Sequence, residues 1–563
     1  MNSEASNRSE VSVRRPLRLA IVSSLIGGGL LLAVQVYAPS TDYQYAFLAA
    51  AAIGLATSAC VLLFLQIACQ RSGHPWRIPV AATVVVIGLL ITVRVKTISG
   101  EMIPQLEWRF ASREVPELQV TPEIKGIETA DSESNANLDE AVASQDESPS
   151  SQLTATWGQF LGKGRDGVVA ERSFAIPESS SDITQLWNIG VGGGWASFAL
   201  ATHPDGGGIA ITLEQRDDRE CVTAYDLSTG ELKWIVDHEA LHFNPLGEGG
   251  PRSTPTIQDS RVYAQGATGT VWCLDIQTGE TIWQRDLLQT AGWDQVASEV
   301  AITWGRSGSP LLVDGQCVVP LGGPTVEGGE QTGRTLISLD AQTGETRWTA
   351  GEQQISYASP QLMTLDGVRQ IVSVNESNIT GHAIDTGEVL WRTDWPGQSN
   401  GGANCAAAIA AGPNRFIVGK GYGGGSALIE VALDEQVWKV SDVWRSSRVM
   451  KTKFNHAVVR DGVAYGLSNG ALQAVELESG ERLWEQGRRG RYGQGQVIVA
   501  EDILIVQAEM GDIAFVAVDP NEFNELIRIP ALNQKTWNVP SLSGELLLVR
   551  NGEEAIALKL PPR

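Results

Sequence analysis

The segment CLDIQTGETIW, residues 273–283, carries the pattern that decides the fold of this chain. A short apolar strand leads to an acidic residue, a turn that contains glycine follows, and a second strand ends in tryptophan. Glycine adopts positive φ angles without steric cost, and the acidic side chain can accept hydrogen bonds from the backbone of the turn. The segment therefore predicts a β-hairpin that ends in a large aromatic side chain.

The same phrase occurs five times, which indicates a repeat protein. The copies are AYDLSTGELKW (224–234), CLDIQTGETIW (273–283), SLDAQTGETRW (338–348), GHAIDTGEVLW (381–391) and AVELESGERLW (474–484). The acidic position is assigned to Asp226, Asp275, Asp340, Asp385 and Glu476, and the turn to Gly230, Gly279, Gly344, Gly387 and Gly480. A second apolar hairpin lies between successive copies, as in GSPLLVDGQCVVPLGG (308–323). Each unit therefore holds about four strands, as a β-propeller blade does.

The spacing of the units predicts eight blades that close into a ring. The last strands of the blades are assigned to Trp187, Trp234, Trp283, Trp348, Trp391, Trp438, Trp484 and residues 526–529. Successive tryptophans lie 43 to 49 residues apart, except for one interval of 65 that contains the insertion GGPTVEGGEQTG. The C-terminal strands GELLLVRN and AIALKL lack a last strand of their own, which QLWNIG (185–190) can supply. Such closure removes two exposed sheet edges.

These phrases resemble the pyrroloquinoline quinone (PQQ)-type propeller repeat, A-x-D-x-x-T-G-x-x-x-W, over roughly residues 157–560. The resemblance implies an all-β, eight-bladed propeller in which the seven tryptophans named above dock between neighbouring blades. The family contains quinoprotein dehydrogenases. It also contains cofactor-free propellers, such as membrane-linked bacterial propellers and the propeller lipoprotein of the outer-membrane β-barrel assembly machine.

Three apolar runs, 19–38, 46–69 and 78–93, predict three transmembrane helices at the start of the chain. Basic residues at 14–18 and 71–77 place the N-terminus and the second loop in the cytoplasm. An odd number of crossings then exports everything after residue 98. A cleavable signal peptide is the alternative for the first run, but no small-x-small cleavage site precedes a polar mature start.

Composition divides the chain into three parts. Residues 1–98 are the predicted membrane anchor, 99–155 a disordered acidic linker and 156–563 the propeller. Residues 115–155 contain nine acidic residues, one basic residue and no aromatic side chain, so this stretch cannot bury enough apolar surface to fold. The linker is interpreted as a solvated tether, with an acidic docking tail as the alternative.

The overall charge and the cysteine count exclude two classes of protein. Lys and Arg total 42 against 65 Asp and Glu, so the net charge of −23 disfavours nucleic acid binding. Six cysteines in 563 residues cannot form a disulfide-rich scaffold, and whether Cys221, Cys273, Cys317 and Cys405 pair stays open at this point.

The resemblance implies PQQ and Ca²⁺ only if the chain is a dehydrogenase, which would need a catalytic Asp base and acidic and amide ligands for Ca²⁺. The adjacent cysteines of soluble alcohol-oxidising members and the haem motif Cys-x-x-Cys-His are both absent from the sequence. Membrane-bound glucose dehydrogenases resemble this layout, although their catalytic domain is longer. We therefore predict no cofactor and no catalytic residue.

His238-Glu239-Ala240-Leu241-His242 fits H-E-x-x-H, a zinc motif when both histidines lie on one helix. Here the motif follows a strand and precedes Pro245 and GEGG. We interpret it as a surface loop between blades, with a metal site at His238 and His242 as the weaker alternative.

Polar and aromatic residues open or precede the first strand of successive blades. Because innermost strands line the channel of a propeller, these residues should converge at one mouth, as a ligand or partner site or as a hydrated plug. The set is Trp195, Arg252, Arg306, Tyr357, Asn404, His456, Gln494 and Asn538.

Taken together, the sequence predicts a propeller that is exported across the bacterial inner membrane and faces the periplasm. It would act as a non-catalytic binding or scaffold protein of the cell envelope, with an envelope protein or peptide as partner and the lipid bilayer around its helices. The alternative is a membrane-bound PQQ-dependent dehydrogenase that oxidises an alcohol or sugar and passes electrons to quinone.

Overall fold

The computed structural model describes residues 2–37, 43–111, 115–120, 153–204, 206–324 and 334–563. The chain opens with three apolar helices, α1 (Asn2–Tyr37), α2 (Tyr43–Arg71) and α3 (Arg77–Thr92). Two segments, 14–34 and 44–71, are long and apolar enough to cross a membrane. The two helices pack against each other, and many of their apolar side chains are exposed, with Leu25 70% and Leu55 74% exposed.

The third predicted span is shorter than the thickness of the hydrocarbon core. Helix α3 has 16 residues, which corresponds to about 24 Å, whereas the hydrocarbon core is about 30 Å thick. The apolar character of all three helices is confirmed, but only two of them reach the length of a membrane span.

A β-hairpin follows α3 without an intervening loop. It consists of β1 (Val93–Ile98) and β2 (Pro104–Trp108). Further on, Leu118 forms a β-bridge with Gly190, and the Gln119 amide donates to the carbonyl of Gly230 at 2.8 Å. The predicted tether therefore does not begin at residue 99, because residues 93–108 form a hairpin and the Leu118 backbone and Gln119 side chain bond to the propeller. Most of the acidic stretch, 121–152, lies outside the described residues.

Two short strands and the strand that closes the ring come next. They are β3 (Thr154–Trp157), β4 (Val168–Val169) and β5 (Thr184–Gly190). The first two blades and the hairpin between them are β6 (Ala199–Thr202), β7 (Gly208–Arg216), β8 (Arg219–Asp226), β9 (Leu232–Glu239), β10 (Phe243–Asn244), β11 (Glu248–Gly249), β12 (Thr256–Gln258), β13 (Arg261–Gln265), β14 (Thr270–Asp275) and β15 (Thr281–Asp286). Helices α4 (Leu287–Ala291) and α5 (Gln295–Ala301) follow the second blade.

The third to fifth blades are regular four-stranded sheets. Their strands are β16 (Leu311–Val313), β17 (Gln316–Pro320), β18 (Leu336–Asp340), β19 (Thr346–Ala350), β20 (Gln361–Leu365), β21 (Val368–Val374), β22 (Asn378–His382), β23 (Val389–Asp394), β24 (Ile409–Ala410), β25 (Arg415–Lys420), β26 (Gly425–Asp434) and β27 (Val437–Ser446).

The sixth to eighth blades complete the chain. Their strands are β28 (Val458–Arg460), β29 (Val463–Ser468), β30 (Ala471–Glu476), β31 (Arg482–Glu485), β32 (Gln496–Ala500), β33 (Ile503–Gln507), β34 (Asp512–Ala517), β35 (Glu525–Pro530), β36 (Ser541–Ser543), β37 (Leu546–Arg550) and β38 (Glu554–Lys559).

The predicted eight-bladed propeller is confirmed, including its mode of closure. The four strands of each blade pair antiparallel, and first strands of neighbouring blades contact each other at six of the eight junctions, including the one between the last and first blades. The last blade has the order β36-β37-β38-β5, with Ala557 opposite Trp187. Strand β5, which precedes the first blade in the chain, thus completes the final blade.

Buried ionic groups reinforce the junction between the last and first blades. Arg550 on β37 donates to the Gly192 carbonyl at 2.8 Å and to Thr212 Oγ1 at 2.7 Å. Burial alone would raise the pKa of the Glu214 carboxyl, but the charges of Arg216 and Arg550 and a hydrogen bond from Tyr225 outweigh it and leave that pKa below its ordinary value. The junction is therefore sealed by charge as well as by strand pairing.

The docking tryptophans share one register feature. In blade 1, Trp234 lies opposite Ala224, immediately before a β-bulge, and its indole N–H donates to the Ile276 carbonyl of the next blade at 3.0 Å. Trp187, Trp283, Trp348 and Trp484 donate in the same way to the backbone of the following unit. Trp391 is different, because it donates to the Gln370 side chain of its own blade.

The prediction that Trp438 docks the fifth blade is wrong. The residue opposite the bulge is Trp444, which faces Leu428, and its N–H donates to the Leu477 carbonyl at 2.7 Å. Trp438 faces Leu433 near the hairpin turn. Both strands of this hairpin have ten residues, so the docking position lies farther from the turn than the repeat spacing indicates.

The turn glycine of each unit leaves room for the tryptophan ring that packs against it. Gly480 has φ +70°, and a Cβ built there would lie 2.6 Å from the Trp444 ring. The acidic residue caps the turn as predicted at Asp226, whose Oδ1 accepts from the backbone of Ser228 at 2.9 Å and of Thr229 at 3.1 Å.

The assignment of Asp385 to the capping position is wrong. In that unit the Gly387 N–H donates to the Ala383 carbonyl at 2.9 Å, so Ala383 occupies the position. Asp385 lies two residues later in the chain, at the position that Ser228, Gln277, Gln342 and Glu478 occupy in the other units. The question left open for the cysteines is answered as well, since all six thiols are free.

Candidate functional site

The turn of the β1–β2 hairpin, residues 99–102, lies at the mouth of the central channel. Lys535 donates to the Ile98 carbonyl at 2.9 Å, and Lys453 donates to the Gly100 carbonyl at 3.0 Å. Lys453 also forms an ion pair with Glu101 at 3.5 Å. We call residues 93–108 the mouth hairpin.

Polar side chains of the seventh blade hold the same turn. The Glu509 carboxylate accepts from the backbone N–H of Gly100, and Gln494 donates to Glu101. Farther along the hairpin, Thr97 donates to Glu248 at 2.8 Å. The segment that leaves the apolar helices is therefore bound to the propeller on several sides.

Four of the eight residues predicted for the mouth line one cavity of about 450 Å³. They are Trp195, Arg252, Tyr357 and His456. The mouth hairpin and the start of α2 form another part of the wall through Gly100, Met102, Gln44 and Tyr45. These four residues converge on one cavity, and ligand binding there is a proposal.

The other four predicted residues are held by protein partners. Arg306 donates to Ser298 Oγ at 2.9 Å, and Asn404 donates to the Trp395 carbonyl at 2.9 Å. Asn538 donates to the Ala196 carbonyl at 2.7 Å. Gln494 holds the mouth hairpin, as described above. These side chains support the loops around the cavity rather than face it.

Burial sets the charge of the cavity wall. It lowers the pKa of His456 to about 4, and His456 Nδ1 accepts the Ala407 N–H at 3.1 Å, so the imidazole is neutral with its proton on Nε2. Burial lowers the pKa of Arg252 to about 10, which leaves the guanidinium charged at neutral pH. The cavity therefore combines one cation with a neutral histidine.

Aromatic residues that the sequence analysis missed form much of the wall. Trp537 lies 4.8 Å from the Trp195 ring and 4.5 Å from the Phe454 ring, measured between centroids. Lys535 lies 4.2 Å from the Trp537 centroid. Trp537 directly precedes Asn538, so its position in the repeat was a usable signal. Nothing in the sequence indicated the contribution of Gln44 and Tyr45.

The interpretation of 238–242 as a surface loop needs correction. Strand β9 continues through Glu239, so the two histidines do not share a helical turn. His238 lies 3.3 Å from Glu220, whereas His242 is 4% exposed, and burial lowers its pKa to about 3. Across the described residues, no group of three or more His, Cys, Asp or Glu side chains could hold a metal ion.

The cavity does not fit the Ca²⁺ and PQQ that the dehydrogenase alternative requires. Calcium takes oxygen ligands, usually with carboxylates among them. The cavity-lining residues within the described ranges include Arg, His and amide side chains but no carboxylate. Neither a calcium ligand set nor an Asp base is therefore present in this wall.

Comparisons with known proteins agree with this architecture. Residues 218–486 match the family model described as outer membrane protein assembly factor BamB. The chain is 30% identical to BamB of Yersinia pestis over 246 residues, which cover 41% of this chain and 56% of that protein. It is 21% identical to BamB of Moranella endobia over 339 residues, or 53% of this chain and 83% of that protein.

Among solved structures, quinohemoprotein alcohol dehydrogenase from Comamonas testosteroni aligns with a TM-score of 0.51 at 11% identity, over 72% of this chain and 81% of that chain. At this identity the likeness is one of fold alone. The repeat and the closed ring define a PQQ-like β-propeller fold, and the family model matches residues 218–486 within it. The relatives named above are assembly factors, and the match spans just over half of the Yersinia pestis protein.

Proposed function

We propose that this chain is a membrane-anchored protein of the bacterial cell envelope whose exported propeller acts as a non-catalytic binding scaffold. The observation that carries the proposal is the complete PQQ-like ring joined at its mouth to apolar helices. The relatives named as outer membrane protein assembly factors support an envelope protein as the partner. The carboxylate-free cavity wall disfavours quinoprotein chemistry.

The proposed location is the inner membrane, with three crossings and the propeller on the periplasmic side. Gln44, at the start of α2, accepts from Lys453 of the propeller at 3.2 Å. The 29 residues of α2 then extend about 44 Å away from the mouth. Helix α3 must return over that distance, because the hairpin that follows it reaches the same mouth. Extended residues of β1 and the long side chains of Arg77 and Arg94 would complete the short crossing.

The mouth itself is covered by the mouth hairpin, so the partner surface should lie on the exposed turns of the blades. Ser228, Gln277 and Gln342 occupy equivalent exposed turn positions in the first three blades. A photo-reactive amino acid placed singly at each position of the full chain should cross-link an envelope protein from a subset of neighbouring blades. Glu478, at the equivalent exposed position in the turn of the sixth blade, is the matched control.

Two results would contradict the proposal. One is the absence of any position-dependent cross-link in intact cells. The other is substrate-dependent dye reduction by the purified full chain after it is loaded with PQQ and Ca²⁺, since that result would make the propeller an oxidoreductase.

A further inference from the structure

The cavity at the mouth lies where the apolar helices meet the propeller. Gln44 and Tyr45, at the start of α2, line the cavity together with Gly100 of the mouth hairpin. Helix α3 ends at Thr92, and six extended residues lead from there to Ile98. Six residues of strand span about 20 Å at most, so the cavity must lie close to the end of the helices.

The inner wall of the cavity is flat and aromatic. Trp195, Trp304, Trp537, Tyr357 and Phe454 all line it. The indole N–H of Trp195 donates to the Gly247 carbonyl at 2.7 Å, and the Tyr357 hydroxyl donates to the Ser399 carbonyl. Because these polar tips are bonded to the protein, the ring faces are what remains for a ligand to contact. Such a wall suits hydrocarbon.

One cation of the wall has no acidic partner within the described ranges. Arg252 donates to the carbonyls of Gly250 at 2.9 Å, Gly247 at 2.7 Å and Glu248 at 3.4 Å, and no carboxylate oxygen there lies within 4.0 Å of its guanidinium. The Glu248 carboxylate pairs instead with Lys535 at 2.7 Å. A partly buried guanidinium bonded only to neutral carbonyls favours an anion nearby.

We propose that this cavity binds an acyl-chain amphiphile with an anionic head group, drawn from the adjoining bilayer. The anionic group lies at Arg252 and the hydrocarbon lies against the tryptophan rings. The inference rests on the proposed function in one respect, namely that the helices are in a membrane. A bound lipid would link the propeller mouth to the bilayer in addition to the polypeptide that joins the helices to the propeller.

The test uses the full chain, purified in detergent with defined lipids and examined by native mass spectrometry. The probes are phosphatidylglycerol, phosphatidylcholine, palmitate and inorganic phosphate. The wild type should retain one phosphatidylglycerol or palmitate per chain and prefer phosphatidylglycerol to phosphatidylcholine by about tenfold or more, as expected for a charge-assisted hydrogen bond. Retention of palmitate but not phosphatidylglycerol identifies a free fatty acid as the source.

A cavity-filling variant provides the sharpest comparison. Gly401 lines the cavity, and a Cβ built there meets no atom within 4 Å, so Gly401→Trp should fill the space and abolish retention. Gly487 is equally open but does not belong to the described cavity wall, and Gly487→Trp should retain the lipid as the wild type does. Arg252→Gln should lose the preference for the anionic head group, and Arg252→Lys should keep it.

Several outcomes would overturn the inference. They are equal retention by the wild type and Gly401→Trp, retention of neither palmitate nor phosphatidylglycerol by the wild type, retention of both phospholipids without preference, or displacement of the lipid by inorganic phosphate alone. Flotation of the full chain with liposomes tests membrane insertion separately. Insertion without lipid retention refutes the cavity site, whereas failure to insert refutes the proposed anchor.

Discussion

Gly480→Ala should destabilise the propeller through its contact with Trp444. A Cβ at this position lies 2.6 Å from the Trp444 ring, and the residue has φ +70°. The left-handed conformation costs an alanine about 1 kcal/mol, and the overlap with a rigid ring adds about 1–3 kcal/mol. We therefore expect the free energy of unfolding to fall by about 2–4 kcal/mol.

The overlap should disappear when the ring is removed. In a Trp444→Ala background, Gly480→Ala should cost only about 1 kcal/mol, which gives a coupling energy of about 1–3 kcal/mol between the two sites. Trp438→Ala is the matched control, because Trp438 lies on the same strand but faces Leu433 near the hairpin turn. Combined with Gly480→Ala, it should show no coupling.

The assay is urea unfolding of the full chain in mild detergent, followed by far-UV circular dichroism so that the loss of a tryptophan does not change the signal. Trp444→Phe separates the ring from its N–H and should cost about 1 kcal/mol, because the hydrogen bond to the Leu477 carbonyl is lost. Additive effects of Gly480→Ala and Trp444→Ala would refute the docking role of Trp444. So would coupling to Trp438.

Three further changes test the mouth hairpin, the ionic junction between the last and first blades, and the membrane topology. Lys453→Met removes the ion pair with Glu101 that holds the hairpin turn and should speed Glu-C cleavage after Glu101 at least severalfold. Lys439→Met, which removes an exposed ion pair, should leave the cleavage rate unchanged. Equal cleavage rates in the two variants would refute the binding of the mouth hairpin to the propeller. The pKa of Glu214 is lowered in the folded state, so its stabilising contribution is full above about pH 4.5 and is lost as the pH falls through the folded-state pKa. Glu214→Gln should therefore reduce the loss of stability on acidification, measured by urea unfolding at a series of pH values. An unchanged slope would contradict this. With the native thiols replaced, a cysteine at Ser72 should resist a membrane-impermeant maleimide in intact spheroplasts and react after lysis, and labelling before lysis would reverse the proposed orientation.

The mouth hairpin also changes which partners can reach the predicted mouth residues. A channel mouth in an isolated propeller would be open to soluble partners. Here Gln494 and Lys453 hold the turn that contains Glu101, so this face is bound to the segment that follows the helices. Any partner that approaches in the aqueous phase therefore meets the blade turns first.

The fold was predictable from the sequence because five units carry the same local signal and the remaining units follow at similar spacing. The Trp-terminated hairpins predicted eight blades, and the unpaired C-terminal strands predicted closure by QLWNIG, which the pairing of Ala557 with Trp187 confirms. The hairpins depend on residues near one another in the chain. Closure joins strands far apart in the chain, and it was predictable because the C-terminal strands had no last strand of their own.

The structure was needed for the contacts between distant residues that neither the repeat spacing nor an unpaired strand indicates. The docking role moved from Trp438 to Trp444 because the position of a bulge, not the distance along the chain, aims the ring at the next blade. The cavity likewise joins Gln44 to Arg252 and Trp537, which no spacing rule connects. A repeat fixes where each strand lies in its own blade, whereas what covers the mouth depends on where a segment outside the repeat finds its hydrogen-bond partners.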